Sequence, residues 1–111
     1  MTLATDALTL NGDRLNASLD DLAWIGRLPD GGIRRIAFSS EDIAARNVVR
    51  EWMTAAGMDA RVDAAGNLIG RYPGRESIPA LATGSHLDTV ECGGKYDGTY
   101  GVLAGLEIAR S

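Results

Sequence analysis

Seven residues, Cys92-Gly93-Gly94-Lys95-Tyr96-Asp97-Gly98, constrain this chain more than any other stretch. Three of the seven are glycine, so the backbone there is free to bend back on itself tightly. Upstream, Pro79 to Ser85 reads as a strand, with Leu81 and Ala82 apolar and Gly84-Ser85 leading into His86. Downstream, Val102, Leu103, Leu106 and Ile108 begin a helical pattern. The loop therefore joins a strand to a helix, with His86 before it and Asp97, eleven residues on, at its far end.

The rest of the chain alternates in the same way. Asp13 is an expected N-cap for a helix through about Ile25, whose Leu15, Leu19, Leu22 and Trp24 fall on one side. Pro29-Asp30-Gly31-Gly32 marks a turn. A second helix lies between Ser39 and Gly57. Ser39 and Asp42 have capping-box spacing with Asp in place of Glu, Gly57 is a C-terminal stop, and Ala45, Val48, Val49, Trp52 and Ala56 form its inner face. Residues 60–63 and 68–72 then predict a β-hairpin around Gly66-Asn67. Helix and strand in alternation predict an α/β architecture, helices packed on a mixed sheet. The third helix reaches Arg110-Ser111 without a stop signal, so the expectation is an unfinished sheet and a truncated domain.

Composition removes several functions. Net charge is −4 and no stretch concentrates Lys and Arg, which argues against nucleic acid as a partner. Apolar runs are too short to span a bilayer, and Met1 to Arg14 lacks the basic start and apolar core of a secretory signal. With one cysteine, Cys92, no internal disulfide can form, which suits a cytoplasmic location.

Chemistry concentrates between Gly84 and Gly98. In a strand, His86 and Asp88 share a face. A carboxylate beside an imidazole can accept from one ring nitrogen and leave the other aimed at a metal. One Asp, having two oxygens, can also bridge two cations. Taken alone, His86-x-Asp88 reads equally as a hydrogen-bonded pair at a strand end, and Asp97-Gly98 as an ordinary turn. Cys92 with His86 lacks the third member of a thiol-nucleophile set. Gly93-Gly94-Lys95 lacks phosphate-loop spacing. Trp24 and Trp52 are expected core anchors, Asn67 closes the hairpin turn, and Arg34 and Arg35 are expected in solvent.

Read as one string, Gly84-Ser85-His86-Leu87-Asp88-Thr89, Gly93-Gly94-Lys95-Tyr96-Asp97-Gly98 and Gly101-Val102-Leu103-Ala104-Gly105-Leu106-Glu107 resemble the first metal motif of N-carbamoyl-L-amino-acid hydrolases. That family includes allantoate amidohydrolases and β-ureidopropionases and is related to zinc aminoacylases and glutamate carboxypeptidases. Leu10 to Leu15, Gly31 to Ala37, Ser40-Glu41-Asp42 and Val62 to Leu68 are similar to its other landmarks, in order.

The resemblance implies that residues 1–111 are an N-terminal portion of a catalytic, metal-binding domain, without the second, dimerising domain. It implies His86 as a ligand of one metal, Asp97 as the bridge between two, and Asp88 as the catalytic partner that orients His86. The cofactors implied are two divalent ions, zinc or else manganese, cobalt or nickel. The substrate implied is a small carbamoyl or ureido compound, and the complete enzyme is expected to be a homodimer. Relatives tend to have a cis peptide after the bridging Asp, so Asp97-Gly98 is a candidate for one. The family's general-base glutamate, its neighbouring ligand glutamate and two further histidines have no counterpart among these 111 residues, since His86 is the one histidine. The chain is therefore expected to bind metal weakly and to be inactive alone. The competing expectation is a non-catalytic piece that binds a partner, such as the complement of a split enzyme. The two cations would lower the pKa of a bound water and polarise the carbonyl, while the glutamate would move its proton.

Overall fold

A computed structural model describes residues 9–111. Part of the Met1 to Arg14 stretch read for a leader lies outside those residues. The elements in order are helix α1 (Gly12–Leu22), helix α2 (Ser40–Ala55), strands β1 (Asp59–Val62) and β2 (Leu68–Arg71), and helix α3 (Thr99–Arg110). The α/β class is as expected, and the sheet among the described residues is an antiparallel pair, Asp59 opposite Arg71 through Val62 opposite Leu68.

Helix α2 forms where its signals stand. Ser39 takes the backbone N–H of Asp42, and the Asp42 carboxylate returns to the N–H of Phe38 at 2.8 Å, one residue before the usual capping-box partner. Gly57, with φ +87°, turns the chain out of the helix in a conformation that a Cβ would strain. Asp63 then organises the hairpin turn, its carboxylate accepting from the N–H groups of Ala65 and Asn67 and from the Asn67 amide.

Helix α1 differs from expectation at both ends. Its N-cap is Asn11, whose side chain accepts from Arg14 N at 3.0 Å, while Asp13 sits in the first turn, where a carboxylate complements the helix dipole. The helix stops at Leu22 and not near Ile25. The carbonyls of both residues accept from the guanidinium of Arg35, at 2.9 and 3.0 Å, and Leu22 O also accepts from Ile25 N in a closing turn. Trp24 therefore lies beyond the helix and is 68% exposed, stacked under Arg27 and not anchored in the core. Trp52 is half-buried against the core, under Arg110.

The core joins Leu19 and Leu22 of α1, Ala45 and Val49 of α2, Leu87, and Leu103 and Leu106 of α3. Each buried leucine contributes about 2 kcal/mol by leaving water. Helix α1 packs on α3, and the hairpin packs on α2. Buried Glu107 ties the first pair together by accepting from Arg14 Nε at 3.0 and 3.1 Å.

Residues 79–85 do not form the expected strand. They are exposed and carry no regular structure or ladder partner among the described residues, and Leu81 is wholly in solvent. An extended run becomes a strand only when a neighbour takes its backbone groups. No cis peptide occurs among the described residues, so Asp97-Gly98 is trans.

Candidate metal centre

His86 lies in the extended segment that enters the core at Leu87. Asp97 lies in the loop immediately before α3. Two sets of contacts bring them together. Ile33 exchanges both backbone hydrogen bonds with Gly93, at 2.9 and 2.8 Å, which folds the loop back over the strand-like run around Ile33. Gly98, with φ +73°, then passes against the imidazole, and an added Cβ would stand 2.4 Å from His86 Cε1. Only glycine allows that approach.

The two ring nitrogens of His86 are differently engaged. Nδ1 is 2.9 Å from the backbone oxygen of Asp88. A carbonyl only accepts, so Nδ1 carries the proton and Nε2 keeps its lone pair in the neutral ring. The Asp88 carboxylate stands 3.5 Å from the same nitrogen, as a nearby charge. Sequence spacing brought the right residue to His86, but the hydrogen bond comes from the main chain of Asp88 and not, as expected, from its side chain.

Nε2 faces Asp97, with Oδ1 at 3.9 Å. Metal–nitrogen and metal–oxygen bonds of roughly 2.0–2.2 Å each span about 4.1 Å end to end, so one ion can touch both atoms. Both side chains are more than half exposed, which leaves their free faces open to further donors. No group of three or more His, Cys, Asp and Glu side chains among the described residues could hold a metal ion. The pair thus offers two candidate ligands to one ion. Beside His86 is a cleft of about 330 Å³, lined among others by Phe38, Arg46, Asn67, Ser85, His86 and Asp88. Arg46 donates to the carbonyl of Gly66, which holds the hairpin turn at the rim.

Arg35 is the residue that sequence reasoning misplaced. It is 1% exposed and not solvated. Its guanidinium donates to Leu87 O at 2.8 Å, to Leu22 O and Ile25 O, and to Thr99 Oγ1 at 3.2 Å. Burial lowers its pKa from the usual arginine value, and the charges of Asp42 and Asp88 oppose that shift. Arginine stays protonated regardless. A signal for this burial was present, since Ile33 and Arg35 are two apart in an extended run and share its buried face. Arg34, on the other face, is exposed as expected.

No family model matches the chain. It is 45% identical over 105 residues to an N-carbamoyl-L-amino-acid amidohydrolase from a Pseudomonas species, covering 94% of this chain and 25% of the relative. It is 41% identical over 95 residues to the allantoate amidohydrolase of Bacillus subtilis, covering 82% of this chain and 23% of that one. A crystal structure of a hydantoinase/carbamoylase family amidase from Burkholderia ambifaria superposes with a TM-score of 0.89 at 48% identity, over 93% of this chain and 26% of that one. The chain thus spans about a quarter of the length of the relatives it matches. Over that quarter it is similar, in sequence and in shape alike, to N-carbamoyl-L-amino-acid and allantoate amidohydrolases and to a hydantoinase/carbamoylase family amidase.

Proposed function

We propose that this chain supplies two ligands, His86 and Asp97, to a metal-dependent hydrolase of linear carbamoyl or ureido C–N bonds. The observation that carries the reading is Nε2 of His86 facing Asp97 across 3.9 Å, with Nδ1 held 2.9 Å from the backbone oxygen of Asp88. Bound divalent ions, zinc or else manganese, cobalt or nickel, would supply a water of near-neutral pKa and a polarised carbonyl. The chain's own part is to hold the histidine in one tautomer, to present the Asp97 carboxylate opposite it, and to border His86 with a cleft of small-molecule size. The names of its relatives support carbamoyl or ureido compounds as the substrate class. This reading assigns the remaining ligands, the general base and a dimerising domain to residues outside this sequence, and places the complete homodimer in the cytoplasm.

The test is a cobalt titration of the chain followed by visible absorption, beside His86→Ala and Asp97→Ala. Weak binding that disappears in both variants is expected. Equal binding by all three proteins would remove His86 and Asp97 from the ligand set. Tight stoichiometric binding lost in both, or carbamoylase turnover lost in His86→Ala, would show that the chain completes a site itself.

A further inference from the structure

We propose that Arg35 is a positioning residue whose buried guanidinium fixes the His86 segment against the Asp97–Thr99 turn and so sets the separation of the two candidate ligands. The inference rests on the metal reading for its significance, though not for its geometry.

Arg35 joins the two ligand-bearing pieces directly. Its Nε donates to the carbonyl of Leu87, which lies between His86 and Asp88. From the same planar group, an amino nitrogen donates to Thr99 Oγ1, two residues past Asp97. Its main chain adds a second hold on the His86 side, accepting from Thr89 N at 2.7 Å and donating to Thr89 Oγ1 at 2.8 Å. The remaining amino group is anchored to the end of α1 through Leu22 O and Ile25 O. A guanidinium is rigid and presents its donors in a fixed fork, so the spacing between Leu87 O and Thr99 Oγ1 is set by covalent geometry. Thr99 is 1% exposed and opens α3, so its position carries Gly98 and Asp97 with it. The distance that results is the close seat of Gly98 against the His86 ring.

A lysine would keep the charge and lose the fork. The experiment follows the nuclear Overhauser cross-peak between Gly98 Hα and His86 Hε1 in the metal-free chain. Arg35→Lys is expected to lose that cross-peak while Leu19, Leu22, Leu103 and Leu106 keep dispersed methyl resonances. Thr99→Val, which removes one acceptor and leaves Arg35 in place, is expected to weaken it, and Thr99→Ser to restore it. Leu19→Ala, a core truncation that removes none of the Arg35 hydrogen bonds, controls for general destabilisation and is expected to keep it. A cross-peak of wild-type strength in folded Arg35→Lys, or equal loss in Leu19→Ala, overturns the proposal. If Arg35→Lys does not fold, the Thr99 pair decides, because identical spectra for Val and Ser also overturn it. Since no metal is present, a negative cobalt titration would end the metal reading and leave this result standing.

Discussion

Gly98 sits against His86 so closely that a Cβ on it would fall 2.4 Å from ring carbon Cε1 and 2.5 Å from the His86 carbonyl oxygen. The second of those atoms is backbone and cannot swing aside. Its φ of +73° is also one that side chains oppose. Gly98→Ala is therefore expected to cost about 2–4 kcal/mol, from left-handed strain and overpacking together, measured by urea denaturation. The His86 ring resonances should shift far more than those of the hairpin.

The tautomer of His86 should survive loss of the Asp88 carboxylate. Because Nδ1 donates to a backbone oxygen, Asp88→Asn leaves the acceptor in place. Long-range proton–nitrogen correlation of the neutral ring is expected to show Nδ1 protonated in both proteins. Any bound cobalt should weaken by about tenfold, the low end for a partner of a ligand. A switch to protonated Nε2 would return the orienting role to the side chain.

Acid should loosen the junction of α1 with α3. The hydrogen bond from Arg14, then its charge, holds the Glu107 carboxyl below the usual glutamate range, against the opposing effect of burial. A depressed folded pKa means that the stabilisation is present above the unfolded value of about 4.3 and is lost as pH falls through the folded one. Arg14→Met removes the nearer of the two cations beside buried Glu107, leaving Arg110 at 4.0 Å, and is expected to lower stability at pH 7. Below about pH 4, where the unfolded carboxyl is protonated, the difference between variant and parent should shrink. Stability measured across pH 3 to 7 checks both.

The two tryptophans should separate cleanly. Trp24→Ala is expected to change stability by no more than about 1 kcal/mol, the worth of an exposed ring under Arg27. Trp52→Ala, at a position packed on the core, is expected to cost about 2 kcal/mol or more by thermal denaturation.

What the sequence made legible was local. Ser39 and Gly57 bracket α2 because a cap and a left-handed stop act within one turn of the residues they satisfy. Asp63 and Asn67 close the hairpin for the same reason. The burial of Arg35 was harder to read, since its partners are carbonyls at Leu22, Ile25 and Leu87, and every residue type has a carbonyl. Residues 79–85 have strand composition without a partner, and a ladder is a property of two segments. The site was partly legible in an instructive way. His86 and Asp88 do meet, but through the main chain, which period-two reasoning does not see.

The Arg35 cross-link also has a consequence for how the chain folds. Its four acceptors lie 10, 13, 52 and 64 residues away along the sequence. Closing the two long loops costs entropy before any bond forms, and a guanidinium brought in without its partners would be a buried, unpaid charge. The cross-link can then form only when the end of α1, the His86 segment and the start of α3 arrive together. The mutual geometry of His86 and Asp97 therefore depends on all three pieces being in place, and an excerpt lacking any of them is expected to lose it.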